Sequence, residues 1–399
     1  MVCNVDECCG CGACVSICPK KCIELIPNEL GVIVPVINQE ICINCGLCEK
    51  TCPKSVENVF RSPQKCYAAY LKDAEKRLDS ASGGVARAMY EKFLEDKSSY
   101  IVGVCWDNDF RPVFKLTNNK EDIKLFQGSK YVQAFPENIY SKVEEKIRAG
   151  CRVLFIGMPC QVAAAKKYFE TKRIDIEKLV FVDILCHGVS PYQYLKEEVK
   201  YYKSKFKLPN LLNISFRSNR RFRNWHFCIT YKDKNNKIKV INKYAYEDLY
   251  YNCFLNGSTL RESCYSCNFS QLNRISDITI GDFIGLGKQR NSTPFKGNTI
   301  NTSLILANTD KGQEFIKNIE DKFDIFERPI QEAYEGGSSL QKPYRKSKLR
   351  NQFVKNYQKG NFLHIMSKIG GWDLKMVQMK QCFVRIIKEW YMRIMGIKY

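Results

Sequence analysis

Cysteines crowd the start of this 399-residue chain in a repeated pattern. Eleven of the 21 cysteines fall within the first 52 residues, and eight of these form two copies of the run C-x2-C-x2-C-x3-C-P. The C-x2-C spacing lets neighbouring thiolates converge on a soft metal, and Gly10, Gly12 and Gly46 let the backbone turn tightly around it. The first run contains Cys8, Cys11, Cys14 and Cys18, and the second contains Cys42, Cys45, Cys48 and Cys52.

Two such runs, each closed by Cys-Pro, are typical of domains that bind two 4Fe-4S clusters. In that pattern three close thiolates hold one cluster, and the fourth cysteine of the run reaches the other cluster. One run alone would also suit a zinc knuckle, but two complete runs favour a two-cluster ferredoxin domain over residues 1–60. The predicted ligands are Cys8, Cys11, Cys14 and Cys52 for one cluster, and Cys42, Cys45, Cys48 and Cys18 for the other.

Three further cysteines in this segment lie outside the pattern: Cys3, Cys9 and Cys22. We expect them to be ordinary small side chains rather than a third site in this domain.

Composition and charge restrict the class of protein. The chain has neither a secretory leader pattern nor an apolar run of about 18 residues, and its many unpaired thiols suit a reducing cytosol, which predicts a cytoplasmic protein. The net charge is +21, yet residues 1–60 contain four lysines against seven acidic residues, a net of −3. An acidic domain beside a basic body favours docking within the chain. Nucleic acid is not expected as a partner, because no DNA- or RNA-binding motif accompanies the charge.

After the cysteine runs, short apolar strands alternate with helices. This alternation is typical of a central, largely parallel sheet covered on both faces, and an expected hairpin over 227–244 adds antiparallel strands. The predicted fold class is therefore α/β with α+β elements. The expected strands are 100–106, 152–157, 179–185, 275–283 and 302–309, and the expected helices begin after residues 80–84 and lie near 137–149 and 161–168.

Four cysteines of the later chain are candidates for a third 4Fe-4S cluster. Cys160 and Cys186 each follow a predicted strand, at the sheet edge where ligands collect, and Cys264 and Cys267 form a C-x2-C pair. No single spacing requires a cluster here, so a set of ordinary buried thiols stays open as the alternative.

The chain resembles the family of beta subunits of coenzyme F420 hydrogenase and dehydrogenase, in the version that carries an N-terminal two-cluster ferredoxin domain. Six stretches carry the resemblance in the order that the family has them, from the first cysteine run to about residue 310. They are ASGGVA (81–86), GSKYVQ (128–133), GMPCQVAA (157–164), CHGVSP (186–191), CYSC (264–267) and DITIGDFIG (277–285).

The resemblance implies an FAD beside a core 4Fe-4S cluster. It implies Cys160, Cys186, Cys264 and Cys267 as cluster ligands, with His187 and Lys130 as candidate catalytic residues. His187 could transfer a proton or donate to a cluster sulfur, and Lys130 could neutralise a phosphate or the reduced flavin; a structural histidine and a solvated lysine are the alternatives. The implied flavin contacts are Ser82, Gly83, Gly84, Ser129, Lys130, Tyr131, Gln161 and His187.

The implied function is that of an iron-sulfur flavoprotein oxidoreductase. Clusters pass single electrons, deazaflavins such as F420 accept hydride, and a flavin does both. Electrons would pass between a ferredoxin or other partner protein, the clusters, the FAD and the F420-type carrier, in either direction. One alternative replaces F420 with an organic substrate, such as an intermediate of polysaccharide synthesis. Another is a non-enzymatic iron-sulfur electron-transfer or scaffold subunit.

The predicted domains after residue 60 are the two parts of this core, 61–190 and 191–340, and a basic extension, 341–399. The extension has fourteen basic against two acidic residues, and apolar side chains recur in it at helical spacing. We expect either a closing helix packed on the body or an interfacial helix at anionic lipid. The apolar positions are Met379, Phe383, Ile386, Ile387, Trp390 and Ile394, with Arg385, Lys388 and Arg393 away from them.

Overall fold

A computed structural model of the chain describes most of its residues. The described ranges are 2–208, 210–218, 222–288, 294–297, 301–357 and 360–369, together with 376, 379, 380, 382–384, 386 and 387. All 21 cysteines lie within these ranges and are free thiols.

The N-terminal domain contains two short helices and a two-stranded antiparallel sheet. Each helix directly follows a glycine with positive φ, because Gly12 (φ 76°) precedes the first helix and Gly46 (φ 73°) precedes the second. This turn brings the cysteines on either side of the glycine to one end of the helix. The elements are α1 (Ala13–Ile17), β1 (Ile23–Pro27), β2 (Ile33–Ile37) and α2 (Leu47–Thr51).

The described chain from residue 61 onward is called the body below, and an eight-stranded mixed sheet forms its centre. Its order is β13-β3-β12-β11-β7-β6-β4-β5, in which the four strands β11, β7, β6 and β4 are parallel and both flanks are antiparallel. The strands are β3 (Lys65–Leu71), β4 (Ser99–Trp106), β5 (Pro112–Thr117), β6 (Arg152–Gly157), β7 (Leu179–Ile184), β11 (Ile278–Asp282), β12 (Ser303–Ala307) and β13 (Phe323–Glu327).

Helices cover both faces of this sheet. Apolar side chains of α4 and α10 pack on one face, and those of α6 and α7 pack on the other. Helix α1 of the N-terminal domain packs against the second of these layers, so the two domains share a core. The helices around the central sheet are α3 (Ala74–Leu78), α4 (Val85–Phe93), α5 (Ile123–Phe126), α6 (Ile139–Arg148), α7 (Pro159–Thr171) and α10 (Asp310–Lys317).

A second, aromatic-rich core lies beside the sheet. It forms where a three-stranded antiparallel sheet packs with the helices Tyr192–Phe206 and Leu249–Leu255 and with those near the C-terminus. Its strands are β8 (Asn210–Ser218), β9 (Phe222–Lys232) and β10 (Ile238–Tyr244). The remaining helices are α8 (Tyr192–Phe206), α9 (Leu249–Leu255), α11 (Ile330–Gly336), α12 (Lys348–Tyr357) and α13 (Phe362–Ile369).

The architecture confirms the predicted α/β class with a ferredoxin-type N-terminal domain. The sheet differs from the expectation in one respect, because only its four central strands are parallel. Antiparallel partners on both flanks, such as β3 with β12, come from chain segments far apart in sequence. The segments 61–190 and 191–340 therefore contribute strands to one sheet.

The C-terminal extension is buried in its first part and exposed in its second. The apolar side chains of α12 and α13, such as Phe353 and Phe362, are buried in the second core, whereas the described apolar residues from 376 onward are exposed. Met379, Phe383, Ile386 and Ile387 are each half exposed or more. Trp390, Ile394, Arg385, Lys388 and Arg393 lie outside the described residues. Within the described part of the chain, no helix is both long enough and apolar enough to span a bilayer.

Candidate functional site

The structure brings four of the eight N-terminal cysteines together around one pocket. Cys42, Cys45 and Cys48 of the second run line it with Cys18 of the first run. This is the crossed grouping that the repeated pattern predicts. Cys22, which the pattern left over, lines the same pocket and lies 3.4 Å, sulfur to sulfur, from Cys18. Of the cysteines that line this pocket, Cys45 is exposed to solvent.

The other four N-terminal cysteines, Cys8, Cys11, Cys14 and Cys52, are all buried. Cys14 and Cys52 pack in one buried cluster, and burial and the nearby thiols of Cys8 and Cys52 raise the pKa of Cys14. Cys3, also outside the pattern, packs against the cluster that contains Cys14 and Cys52, and the neighbouring thiols of Cys52 and Cys8 raise its pKa.

Side chains of the body hold the first cysteine loop through its backbone. The Tyr140 hydroxyl donates to the Cys11 carbonyl at 2.9 Å, and Arg261 Nη2 donates to the Cys8 carbonyl at 2.7 Å. Gln133 Nε2 donates to the Cys9 carbonyl at 3.3 Å. A Cβ at Gly10 would lie 2.2 Å from Gln133 Nε2, so this close approach requires glycine. The first cluster loop is therefore docked on the body.

The four candidate cysteines of the body line a second pocket. Cys160 is the second residue of α7, directly after β6, and Cys186 follows β7. Cys264 and Cys267 enter from the loop after α9. Cys9 of the N-terminal domain lines the same pocket, and sequence analysis did not assign it there.

The donor set of this pocket fits a multinuclear cluster. Among the described residues, no three His, Cys, Asp or Glu side chains come close enough for a single metal ion. A four-iron cube takes one thiolate at each of its four irons, and four candidate thiols line this pocket. Burial raises the pKa of Cys186 to about 12 and that of Cys264 to about 11. These thiols would therefore stay protonated at neutral pH unless a metal displaced the proton.

Two buried arginines, Arg274 and Arg261, line this pocket. Arg274 is 2% exposed and forms an ion pair with the fully buried Asp183 at 2.8 Å. Its other guanidinium nitrogens donate to Thr279 and to the Phe269 and Gln271 carbonyls. Arg274 thus joins β7, which precedes Cys186, to the loop after Cys267. The other arginine, Arg261, is 1% exposed, and its Nε has no hydrogen-bond partner among the described residues.

His187 faces the same pocket. Its ring packs against Tyr344 and Phe254, with centroid distances of 4.5 and 5.2 Å. Burial lowers the pKa of His187, so its neutral form is favoured. The Nε2 atom is buried and has no hydrogen-bond partner in the described part of the chain. His187 can therefore offer one uncommitted nitrogen to the pocket.

The predicted flavin residues near α4 have close structural partners. Gly83 N donates to Ser303 Oγ at 2.9 Å, and a Cβ at Gly83 would lie 2.4 Å from the Ala69 carbonyl oxygen. Gly84 has φ 87° and precedes α4, and the Ser82 hydroxyl donates to the Thr302 carbonyl at 3.4 Å. The glycine pair is therefore required by packing between β3 and β12, whatever it binds.

Lys130 and Tyr131 also have partners within the protein. Lys130 Nζ donates to the Leu125 and Gln127 carbonyls at 3.1 and 3.2 Å, and burial lowers the pKa of Lys130 to about 8. Tyr131, which follows Ser129 and Lys130, stacks on Phe254 at 4.9 Å. Since His187 also contacts Phe254, this ring connects Tyr131 with the cysteine pocket.

Gln161 caps the helix that presents Cys160. Its Oε1 accepts from the Met158 amide at 2.9 Å, and its side chain is 4% exposed. Of the predicted flavin residues, His187 lines the cysteine pocket, whereas Ser82, Gly83, Gly84, Ser129, Lys130, Tyr131 and Gln161 do not.

Comparisons with known proteins match both parts of the chain. Residues 7–56 match the 4Fe-4S dicluster domain, and residues 150–333 match the family described as the C terminus of the beta subunit of coenzyme F420 hydrogenase/dehydrogenase. The chain is 24% identical over 343 residues to a subunit of the F(420)H(2) dehydrogenase of Methanosarcina mazei, covering 81% of this chain and 85% of that protein. A chain of the F420-reducing [NiFe] hydrogenase complex from Methanosarcina barkeri superposes with a TM-score of 0.45 at 17% identity, over 76% of this chain and 94% of that one.

Proposed function

We propose that this protein is an iron-sulfur flavoprotein oxidoreductase, because residues 150–333 match the family of coenzyme F420 hydrogenase/dehydrogenase beta subunits and residues 7–56 match the 4Fe-4S dicluster domain. In this proposal it transfers electrons between a one-electron partner protein, such as a ferredoxin, and an F420-type carrier. The clusters handle single electrons, and an FAD, when bound, exchanges both single electrons and hydride.

The grouping of cysteines at two pockets, with the buried Cys8, Cys11, Cys14 and Cys52 as a further set of four, is the observation that supports the proposal. Cys18, Cys42, Cys45 and Cys48 would hold one cluster near solvent, which suits electron exchange with a partner protein. Cys8, Cys11, Cys14 and Cys52 would hold the second cluster, at the face that docks on the body. Cys160, Cys186, Cys264 and Cys267 would hold the third.

A series of residue contacts at the carboxyl edge of the sheet supports a flavin site there. Gly83 contacts Ser303, which pairs with Asp282 at the end of β11. Asp282 forms an ion pair with Arg217, whose guanidinium lies 4.8 Å from the Trp225 ring centroid. Trp225 in turn stacks on Tyr131 at 5.9 Å. Sheets of this kind bind ligands beyond the carboxyl ends of parallel strands.

The residues that would hold the FAD are those implied by the family resemblance. The first backbone amides of α4 suit an anionic group, whereas the Gly83 amide already donates to Ser303 Oγ. His187 could hold or move a proton at Nε2. The residues that would hold the FAD are Ser82, Gly83, Gly84, Ser129, Lys130, Tyr131, Gln161 and His187.

The similarity to a protein named as part of an F(420)H(2) dehydrogenase favours F420 as the two-electron carrier. We expect anaerobically purified protein, reduced by reduced ferredoxin, to convert oxidised F420 to its reduced form, with loss of the deazaflavin absorbance. Oxidation of reduced F420 by the protein with a one-electron acceptor would test the opposite direction. A protein that binds FAD but turns over F420 in neither direction would favour an organic substrate. A protein that purifies without flavin would favour an electron-transfer subunit.

Membrane contact through the C-terminal extension is a separate proposal about localisation. Met379, Phe383, Ile386 and Ile387 are exposed, and the net charge of residues 341–399 is strongly positive. Exposed apolar groups beside basic side chains suit the surface of an anionic bilayer.

A protein truncated after Gly370 tests this membrane proposal. In sedimentation with vesicles of anionic phospholipid, we expect the full chain to pellet and the truncated chain to stay in solution. Vesicles of neutral phospholipid should retain neither protein. Equal, poor sedimentation of both proteins with anionic vesicles would reject membrane recruitment.

A further inference from the structure

Arg261 is a buried cation without a carboxylate partner. Its side chain is almost fully buried, and no Asp or Glu of the described chain forms an ion pair with it. The acid next to it in sequence, Glu262, pairs with Lys346 instead. A guanidinium keeps its proton in a protein, and an isolated buried charge is costly. Arg261 therefore requires a source of negative charge other than a carboxylate.

The hydrogen-bond partners of the Arg261 guanidinium are all neutral. Its Nη1 donates to Gln133 Oε1 at 2.5 Å, and its Nη2 donates to the carbonyls of Cys8 and Ile33 at 2.7 and 3.1 Å. The buried Nε has no partner among the described residues. These bonds replace part of the lost hydration of the charge, but they do not cancel it.

Arg261 lies between two of the proposed cluster sites. Its main chain belongs to the body, because its amide donates to the Val189 carbonyl at 2.9 Å and its carbonyl accepts from the Cys264 amide at 3.0 Å. The residue also lines the pocket of the four body cysteines. Its guanidinium reaches the first cysteine loop, where a Cβ at Gly10 would lie 2.4 Å from Nη1.

The two sites beside Arg261 are called the buried set and the body set. The buried set is Cys8, Cys11, Cys14 and Cys52, and the body set is Cys160, Cys186, Cys264 and Cys267. A 4Fe-4S cluster with four thiolate ligands carries net negative charge, and reduction adds one electron to it. A nearby buried cation therefore stabilises the reduced state more than the oxidised state.

We propose that Arg261 is a positioning and charge-balancing residue, whose guanidinium is the shared counter-charge of the clusters at the buried set and the body set and raises the midpoint potential of both. The inference rests on the proposed function, which places clusters at these sites. Reduction adds one electron to a cluster, while Arg261 keeps its proton and no bond to it forms or breaks.

Three substitutions separate the charge of Arg261 from its packing. Arg261→Gln removes the charge and keeps an amide donor. Arg261→Lys keeps the charge but loses the planar fork that reaches Gln133 and Cys8 together. Gln133→Glu keeps the arginine and places a carboxylate where an amide oxygen now accepts from Nη1, with loss of the 3.3 Å bond from Gln133 Nε2 to the Cys9 carbonyl.

Arg328→Gln is the matched control. The Arg328 side chain is 8% exposed, and its Nε lies 2.7 Å from a carboxylate oxygen of Glu332. Arg328 lines neither cysteine pocket. The control therefore removes a buried guanidinium and changes the net charge of the protein as Arg261→Gln does, but at another place.

The measurement is an anaerobic redox titration with dithionite, followed by electron paramagnetic resonance, with iron analysis of each protein. The signal of the body cluster is the one absent from the variant in which Cys264 and Cys267 are both serine. The same double variant serves as a background in which only the N-terminal clusters remain.

We expect Arg261→Gln and Gln133→Glu each to lower the reduced-to-oxidised ratio of the body cluster about tenfold or more at a fixed ambient potential, which is about 59 mV for one electron. Arg261→Lys should stay within about threefold of the unmodified protein, because the charge is kept. Arg328→Gln should leave the ratio unchanged. In the background without the body cluster, Arg261→Gln should shift one N-terminal cluster and leave the other, at the pocket of Cys45, unchanged.

Two results would overturn the role of Arg261. One is an unchanged ratio in both Arg261→Gln and Gln133→Glu at full iron content. The other is an equal shift in Arg261→Gln and Arg261→Lys, which would assign the effect to hydrogen-bond geometry and not to charge. If Arg261→Gln loses iron, Gln133→Glu, which keeps the arginine, decides. Absence of the body cluster from the unmodified protein would count against the proposed function, whereas the shift of one N-terminal cluster would still support or reject the charge balance.

Discussion

Changing Cys264 and Cys267 together to serine should remove about four of about twelve iron atoms and leave the N-terminal clusters in place. The two serines are hard, weakly acidic donors that replace soft thiolates poorly. The body cysteines line their own pocket and share no proposed ligand with the other two sets. Reduction of F420 by reduced ferredoxin should fall to background, because electrons would lack the centre between the N-terminal clusters and the flavin.

A control for this variant changes Cys151 and Cys228 to serine. Neither residue lines either cysteine pocket, and the Cys228 sulfur has Asn242 as a hydrogen-bond partner that a hydroxyl could keep. The control should retain all iron. Full iron content in the Cys264, Cys267 variant would show that these residues are not ligands. Loss of every cluster would mean that they hold the fold together.

Replacing Arg274 by methionine should destabilise the protein by about 3–5 kcal/mol. The change leaves Asp183, which is fully buried, without its counter-charge at the junction of β7 and the loop after Cys267. A buried carboxylate that loses its ion-pair partner keeps its desolvation cost and loses the compensating attraction. Chemical denaturation under anaerobic conditions, followed by circular dichroism, measures the loss of free energy of unfolding.

A double variant separates the ion pair from the packing of the arginine. Arg274→Met combined with Asp183→Leu should recover much of the stability, because no unpaired charge remains in the core. Lys124→Ala provides a control at the exposed pair with Glu121 and should change stability little. A loss below about 1 kcal/mol in Arg274→Met alone would contradict the importance of the buried pair.

Sequence pattern was most informative where one residue type recurs at fixed spacing. The two cysteine runs predicted that Cys18 would group with the second run, and the structure places it in that pocket. Apolar runs predicted the parallel strands β4, β6 and β7 within one or two residues, because strands buried on both faces are apolar throughout. The antiparallel flanks were not predicted, since local pattern carries no information on the direction of a distant partner.

Residues that act singly could not be predicted in the same way. Arg261, Arg274 and Cys9 have no spacing signature, and their importance arises from burial between segments far apart in sequence. The one available signal for Cys9 was its position directly beside Cys8. Lys130 was considered from the sequence as a cation for a phosphate or the reduced flavin, with a solvated lysine as the alternative, and the pattern did not indicate that its ammonium group donates to the carbonyls of its own loop.

Iron, acid-labile sulfide and flavin analysis of anaerobically purified protein tests the central claim most directly. We predict about twelve iron atoms, about twelve sulfides and one FAD for each chain, from three sets of four thiolates and one flavin. Eight iron atoms and eight sulfides without flavin would contradict the account, because the protein would then hold only the two clusters of its N-terminal domain.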